Sequence, residues 1–230
     1  MTSYTYLLLN VLTLAIPLAR SFEPRIAFYK KWLAWLPAIT ITSAFFILWD
    51  VLFTHWHVWG FNEPYLIGIY VLNLPLEEVL FFIAIPYACL FLYETLNLCL
   101  TQDLLAPYQR AITLFLVGCS AILGLSNLGK VYTATAFLLT ACLLSLHLLY
   151  LKTTYLGRFY RTYLVVLGPF FVVNGILTGA CLTQPVVWYN DYENLGIRLF
   201  TIPVEDVFYG LLLILMNLTL YEAFKKLHRR

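Results

Sequence analysis

Residues 75–94 read PLEEVLFFIAIPYACLFLYE, and residues 203–222 read PVEDVFYGLLLILMNLTLYE. Both stretches begin with proline, continue with an acidic pair and a long apolar run, and end with Tyr-Glu. Proline suits the first turn of a helix, and about 20 mostly apolar residues are enough to cross a membrane as a helix. Each stretch therefore predicts a membrane-spanning helix that carries two carboxyl groups in its first turn.

Five further apolar stretches accompany these two. The seven predicted spans are 4–22, 33–53, 75–98, 110–126, 131–150, 162–182 and 203–224. Hydrophobic residues make up 62% of the chain and charged residues 11%, and the mean hydropathy is +0.81. This apolar content is far above that of a soluble domain. The sequence predicts an all-α integral membrane protein with seven transmembrane helices, and the first run, which lacks a cleavage pattern, is expected to stay as the first helix.

The two opening stretches belong to an internal repeat with an offset of 128 residues. The same offset aligns Asn62 with Asn190 and Gly68 with Gly196 without a gap. Matches of Asn, Gly, Pro and Glu in one ungapped register rarely arise by chance in a mostly apolar sequence. We expect two parallel copies that cross the membrane in the same direction. The predicted division is a first three-helix repeat in 1–109, a linker helix in 110–128 and a second three-helix repeat in 129–230.

Basic residues are unevenly divided between the two sides of the membrane. Twelve of the 14 Lys and Arg residues fall after helices 1, 3 and 5 or in the C-terminal tail, which leaves Lys130 and Arg198 on the other side. Because cytoplasmic loops carry the excess of Lys and Arg, we expect a multi-pass cell-membrane protein with its N-terminus outside and its C-terminus in the cytoplasm. The net charge of +2 and the absence of a basic patch argue against a nucleic-acid partner.

Acidic residues concentrate on the outer side. Eight of the twelve fall there: Asp50, Glu63, Glu77, Glu78, Asp191, Glu193, Glu205 and Asp206. One carboxylate in a first helical turn simply complements the helix dipole. A second adjacent acid, followed at once by an apolar run, lies where burial of a charged side chain in the membrane costs free energy. Such a residue indicates a functional role. We predict that Glu77, Glu78, Glu205 and Asp206 are catalytic, and we favour Glu77 and Glu205 because glutamate occupies that position in both copies.

Aromatic residues lie at the level of these acids. Most outer aromatics are explained by the belt that forms at a membrane interface. The rings of Phe81, Phe82, Phe208 and Tyr209 directly follow the acids and could stabilise a cationic intermediate. The pairs Tyr93-Glu94 and Tyr221-Glu222 begin about 25 Å further along their helices. We interpret these pairs as structural ends at the inner surface, with nearby basic residues as partners.

No cofactor site is visible in the sequence. The five cysteines lack CxxC spacing, which argues against a disulfide framework and a thiolate metal site. His55 and His57 flank Trp56 without a third ligand nearby, which favours an interfacial position over metal binding. The chain has no GxGxxG or Walker motif. We therefore expect no metal, flavin, nicotinamide or nucleotide.

The motifs together resemble those of the membrane lycopene cyclases. These enzymes are two separate subunits in some actinobacteria, one fused chain in archaea and other bacteria, and part of a longer chain with phytoene synthase in fungi, and this sequence resembles the fused form. The resemblance rests on Trp49-Asp50, on residues 58–62 and 190–194, and on the doubled-acid motifs at 74–78 and 202–206. It covers nearly the whole chain. Besides the four acids, we expect the following residues to bind the substrate or its cation: Trp49, Asp50, Asn62, Phe81, Phe82, Asn190, Asp191, Glu193, Phe208 and Tyr209.

The resemblance implies cyclisation of the linear ends of lycopene to β-ionone rings, which gives γ-carotene and then β-carotene without net redox change. An acid would protonate the terminal double bond, the neighbouring alkene would attack the resulting cation, and a base would remove a ring proton. An alkene is a very weak base, so this step calls for a desolvated acid and a preorganised cage for the cation. The implied partners are the lipophilic carotenoid taken from the bilayer, membrane lipid and other enzymes of carotenoid synthesis.

Other functions remain open on the sequence alone. A seven-helix small-solute transporter can share the 3+1+3 repeat, although the midplane of helices 3 and 7 is almost wholly apolar. A retinal-binding opsin-like protein would need a mid-membrane lysine in helix 7, where the lysines are terminal. Within the cyclase family, the sequence does not separate a β-cyclase from an ε- or γ-cyclase, or a forty-carbon substrate from one of fifty carbons.

Overall fold

The structure, a computed structural model, describes residues 3–227. Within that range the chain forms seven α-helices: α1 Thr5–Arg20, α2 Trp32–His55, α3 Leu76–Cys99, α4 Gln109–Ser126, α5 Val131–Leu146, α6 Leu156–Leu177 and α7 Val204–Leu227. Six described helical segments are long and apolar enough to cross a membrane: α2 to α7, counted with the short 3-10 turns before α2 and α4 and with the π-helical turn His147–Leu151 after α5. The apolar α1 has 16 residues. The predicted all-α membrane fold is thus confirmed, and the protein is a multi-pass membrane protein.

The sixth helix lies closer to the N-terminus than the predicted span 162–182. It begins at Leu156, and Arg161 in its second turn has hydrogen-bond partners in the segment that follows α3. The Arg161 guanidinium donates to the carbonyl oxygens of Leu100 and Gln102, both at 3.2 Å. The helix ends at Leu177, and Gly179 follows with a φ of +107° that favours glycine. A prediction from hydropathy alone excludes charged residues from a helix. It therefore misses a charged residue in the first turns whose side chain has hydrogen-bond partners.

The segments before α3 and α7 have the same local structure, 128 residues apart. Each forms a two-stranded hairpin: β2 (Tyr70–Val71) pairs with β3 (Leu74–Pro75), and β5 (Arg198–Leu199) pairs with β6 (Ile202–Pro203). Each hairpin loop begins with a left-handed residue, Leu72 at φ +58° and Phe200 at φ +59°, a conformation uncommon outside glycine. The two acidic pairs therefore enter their helices from matching backbone scaffolds.

A third pair of strands joins the two halves of the chain. β1 (Trp59–Phe61) pairs antiparallel with β4 (Val187–Tyr189), and Trp59 lies opposite Tyr189. Gly60 lies opposite Trp188, and a Cβ at Gly60 would come within 2.4 Å of the Trp188 ring. Only glycine allows this close approach. The β1–β4 ribbon thereby forms a compact layer above the ends of the helices.

Helices α3 and α7 occupy the centre of the bundle. α1 packs against α3, α5 packs against α7, α2 packs against α7, and α6 contacts α3. α4 packs mainly along α5, where a Cβ at Gly124 would lie 2.7 Å from the Leu138 side chain. The central position of α3 and α7 brings their first turns, with the acidic residues, beneath the β1–β4 ribbon.

Candidate active site

A cavity of about 380 Å³ lies under the β1–β4 ribbon, between α1, α3, α6 and α7. Carboxyl, phenol and indole groups line its upper end: Tyr6, Asp50, Trp59, Glu78, Tyr132, Tyr189, Asp206 and Tyr209. The walls below are mostly apolar. A concave apolar site with a few convergent polar groups is the usual form of a ligand site.

The second acid of each motif faces this cavity and binds a tyrosine. Tyr6 donates from its hydroxyl to Glu78 Oε2 at 2.5 Å, and Tyr132 donates to Asp206 Oδ1 at 2.5 Å. Tyr189 donates to the other oxygen, Asp206 Oδ2, at 2.9 Å. Both acids are buried: Glu78 is 8% exposed and Asp206 is 6% exposed. The first and second halves of the chain thus contribute matching tyrosine–carboxyl pairs to one site.

Asp50 brings a third carboxyl group to the cavity from α2. Its residue is buried, and the Trp59 side chain is its hydrogen-bond partner. Its Oδ2 atom has no hydrogen-bond partner within residues 3–227. Asp50 interacts electrostatically with Glu78, and Glu78 in turn with Asp206. Like charges that interact in a desolvated site disfavour full ionisation.

Tyr189 stays neutral as it binds the cluster from the ribbon. Burial is the main cause that raises the pKa of Tyr189 well above its ordinary value, and the negative charge of Asp206 adds to the effect. A neutral phenol keeps its proton and donates it in a hydrogen bond. Two phenol donors, Tyr132 and Tyr189, therefore stabilise the charged form of Asp206.

Aromatic rings surround the carboxyl groups. The Tyr209 ring lies 5.1 Å from the rings of Phe46 and Trp49, and the Trp59 ring lies 5.0 Å from that of Tyr132. The Tyr209 hydroxyl is buried and has no hydrogen-bond partner in the described part of the chain. Ring faces near a cavity can attract a cation. The upper end of the cavity thus combines buried acids with a wall suited to positive charge.

Glu77 and Glu205, which the sequence favoured, do not line this cavity. Glu77 Oε1 accepts a hydrogen bond from the Ile67 backbone N–H at 2.7 Å, and Glu205 Oε1 accepts one from Leu195 N–H at 2.8 Å. The Thr133 hydroxyl also donates to Glu205 Oε1 at 2.7 Å. Both residues are fully buried. Their contacts tie the loop that precedes each helix to its first turn.

Several other predicted binding residues organise the loops instead of lining the cavity. The Asn62 side-chain amide donates to Pro185 O at 2.5 Å, and Asn190 Oδ1 accepts from Tyr192 N. Asp191 forms an ion pair with Arg198 at 2.6 Å. Glu193 Oε2 accepts from Val131 N at the start of α5. These contacts shape the layer above the site.

The predicted aromatic residues divide into two groups. Phe81 and Tyr209 line the cavity. Phe82 is buried beside Phe46, and the ring of Phe208 lies 4.5 Å from that of Phe137. Trp49 packs against Tyr209 behind the cavity wall, and its indole N–H has no partner in residues 3–227. Phe81 and Tyr209 are therefore the members placed to contact a ligand.

The inner Tyr-Glu pairs form a separate cluster near the opposite ends of α3 and α7. Glu94 pairs with Lys31 at 2.5 Å and with Lys225 at 2.8 Å, and the Tyr221 hydroxyl donates to it at 2.5 Å. Glu222 contacts Lys225 at 3.2 Å. The expected basic partners are confirmed. The cluster ties together α3, α7 and the segment that leads into α2.

Sequence reasoning missed Tyr6 and Tyr132. Both lie near the start of a helix, α1 and α5, which begin 126 residues apart. The offset of 128 that aligns the acids does not align these two tyrosines. An alignment of the two halves with an offset of 126 residues in their first helices, instead of 128, would have matched Tyr6 with Tyr132.

Comparison with known proteins supports one family. A family model described as lycopene cyclase matches residues 3–96 and 129–224. The two matched segments leave out the region that contains α4. No curated protein and no solved structure gives a significant match. The matched segments cover most of the chain, so this protein belongs to the lycopene cyclase family and is a membrane-embedded carotenoid cyclase.

Proposed function

We propose that the protein is a lycopene β-cyclase that closes the linear ends of lycopene to β-ionone rings. One observation carries the proposal: three buried carboxyl groups, Asp50, Glu78 and Asp206, face the end of one mostly apolar cavity. The acids supply what proton-initiated cyclisation needs, and the apolar walls suit a hydrocarbon. A transporter of polar solutes would be poorly served by such walls.

The proposed reaction is an isomerisation in which one proton enters and one leaves. A carboxylic acid protonates the terminal double bond and leaves a tertiary cation. The neighbouring alkene attacks this cation and closes the six-membered ring, which moves the positive charge into the ring. A carboxylate then removes a ring proton and restores a double bond. No electron is gained or lost overall, so the chemistry itself requires no redox cofactor.

The different hydrogen bonds of the carboxyl groups suggest their roles. Asp206 accepts from Tyr132 and Tyr189, and both bonds stabilise its anion. We assign the base to Asp206. Glu78 accepts from Tyr6, and Asp50 next to it has one oxygen without a partner in the described residues. We assign the transferable proton to this Glu78 and Asp50 side of the cluster.

The rings that line the upper cavity would stabilise the cation between these two proton transfers. Trp59, Phe81 and Tyr209 belong to the lining, and Trp59 and Tyr209 lie 6.2 Å apart. Cation–aromatic attraction reaches about 2 kcal/mol or more in a desolvated site. Burial also keeps out water, which would otherwise capture the cation as an alcohol.

We further propose that all seven helices cross the membrane, as two parallel three-helix repeats joined by the linker helix α4, with the site near the outer face. Matching hairpins and matching loop contacts of Glu77 and Glu205 support the repeat. Lys31 and Lys225 at the opposite end support a cytoplasmic inner face. A reporter near Asn62 should read external, and one after Arg230, which lies outside the described residues, should read cytoplasmic. The reverse result would overturn this orientation.

Pigment analysis in a lycopene-accumulating bacterium tests the function. Expression of the protein should convert lycopene to γ-carotene and β-carotene, while the double variant Glu78→Gln/Asp206→Asn, matched for membrane level, should leave lycopene unchanged. An ε or γ ring, or action confined to a fifty-carbon substrate, would replace the β-cyclase assignment within the same family. Unchanged lycopene with the inserted wild-type protein would reject it.

A further inference from the structure

The cavity extends well below the carboxyl groups, along one face of α3. Glu78, Phe81, Ile85, Ala88 and Leu92 all line it. These residues are spaced by three or four positions, which places them on one side of a helix. From Glu78 to Leu92 the path is about 21 Å at 1.5 Å per residue. The cavity is therefore a long channel and not only a cup for one ring.

The wall of this lower channel is that of a hydrocarbon site. On α6 it consists largely of Val166, Pro169, Phe170 and Val173. The carboxyl groups all lie at the upper end. A chain without hydrogen-bonding groups can occupy this channel without leaving charged protein groups unpaired.

One side of the channel faces the surroundings of the protein. Ile16 on α1 is 72% exposed, and Pro169 on α6 is also exposed, although both line the cavity. Among the described lining residues, these two are the exposed ones. In contrast, Trp59 in the roof is 5% exposed. The channel is thus closed above and open sideways, between α1 and α6, where a membrane protein meets lipid.

We infer that this lower channel binds the uncyclised polyene of the substrate and that the gap between Ile16 and Pro169 is its lateral entrance from the bilayer. The inference rests on the proposed cyclisation. A cavity of about 380 Å³ is of the size that holds a drug-sized ligand, and an extended forty-carbon carotenoid is longer than the channel. One end therefore lies at the acids, the middle follows α3, and the other end stays in lipid.

The channel therefore accepts one end of a carotenoid at a time. The product of the first closure must withdraw through the α1–α6 gap and return with its other end first. A monocyclic carotenoid leaves the protein between the two reactions.

Selective obstruction of the channel tests this inference. Ala88→Trp fills the channel about 15 Å below Glu78, and Ile83→Trp on the exposed face of the same helix is the matched control. Two substrates are compared: lycopene, and a truncated polyene that carries the same end group and is short enough to end above Ala88. The obstructed variant should cyclise lycopene about 100-fold more slowly, as expected for a misplaced reacting group. It should cyclise the truncated polyene as the wild type does.

The outcomes separate this inference from the proposed function. Equal losses on both substrates, or no loss on lycopene, would overturn the channel. If the wild type cyclises neither substrate, the proposed function fails. A second measurement then decides the channel alone: a photo-crosslinking residue at position 16 should capture added lycopene, and one at the exposed Leu12 should not. Equal capture at both positions, or none at position 16, would reject the lateral entrance, and the same measurement applies if Ala88→Trp fails to fold.

Discussion

The two halves of the molecule build the same scaffold around their acids and then surround those acids differently. In both halves the first acid ties down a loop and the second faces the cavity. Within the described residues, Asp206 receives two phenol hydrogen bonds, and Glu78 receives one. The position that corresponds to Tyr189 in the first half is Phe61, which has no hydroxyl. A near-symmetric scaffold thereby gives its two cavity-facing carboxyl groups different sets of hydrogen bonds.

The helices that flank the centre differ in the same way. α2 packs closely on α7 through Phe46 and Trp49, whose rings contact Tyr209. α6, its counterpart beside α3, leaves space that becomes the cavity. The two halves of the chain therefore line one cavity together. The cavity thus lies where the packing of the two halves differs.

Removal of the cavity-facing acid of either motif, Glu78 or Asp206, should have the largest effect on turnover. Glu78→Gln and Asp206→Asn keep size and polarity but abolish proton exchange, so each should lower cyclisation by about two to four orders of magnitude. Because the two act on one proton path, the double variant should be little worse than either single variant. The measurement is the rate of lycopene loss per unit of membrane-inserted protein.

Glu63→Gln is the matched control for these variants, since Glu63 is an exposed acid on the same side of the molecule. It should leave the rate unchanged. If both cavity variants remain active while Glu77→Gln and Glu205→Gln are inactive, the ranking derived from the sequence holds. The assignment of the cavity as the active site would then be wrong.

Loss of the extra phenol in the second half should have a smaller effect. Tyr189→Phe removes one donor to Asp206, and a hydrogen bond to a charged group contributes about 1.5–3 kcal/mol. We expect roughly a 10- to 100-fold lower rate at that magnitude. Tyr192→Phe, at a ring that is 88% exposed, controls for the loss of a tyrosine hydroxyl. An unchanged rate for Tyr189→Phe would show that the second phenol donor to Asp206 does not contribute to turnover.

Glu77→Gln and Glu205→Gln should reduce stability more than turnover. Glutamine keeps an oxygen that can accept the loop N–H of Ile67 or Leu195, but its amide N–H₂ replaces an oxygen that has no partner among the described residues. An unsatisfied buried donor costs about 1–3 kcal/mol. Thermal unfolding in detergent should therefore shift to lower temperature, while the folded fraction keeps most of its activity. A loss of turnover without a loss of stability would indicate that Glu77 and Glu205 are catalytic, as the sequence predicted.

The sequence predicted the membrane class and the acidic motifs because both depend on local composition. Hydropathy locates apolar runs, and the ungapped offset of 128 aligns the loops and first turns that carry Glu77 and Glu205. The offset did not show which acid of each pair faces inward. Adjacent residues point in directions about 100° apart on a helix of 3.6 residues per turn, so the facing side is decided by packing against other helices.

Long-range contacts explain the remaining differences. Tyr6 reaches Glu78 across 72 residues of chain, and Tyr132 reaches Asp206 across 74. Neither tyrosine belongs to a motif around the acids. The cavity itself arises from the loose packing of α6 against its neighbours. The hydrophobic periodicity of a single helix does not predict such packing. Asn62 and Asp191 were predicted to bind the substrate, and in the structure their side chains contact Pro185 and Arg198 in the loops.

The two ends of α3 can be compared through substitutions at Glu94 in the inner cluster and at Glu78 in the cavity. Substitutions in the inner cluster should affect turnover least. Glu94→Gln removes the carboxylate that binds Lys31 and Lys225. Hydrogen bonds to charged groups contribute about 1.5–3 kcal/mol, and partial exposure of both lysines reduces the loss. The variant should therefore unfold more easily, with an unchanged rate per folded molecule, because Glu94 lies about 24 Å along α3 from Glu78. Glu23→Gln, which breaks the more exposed Arg20–Glu23 pair, should alter neither quantity measurably. A large loss of turnover in folded Glu94→Gln would place essential chemistry at the inner end and contradict the outer site.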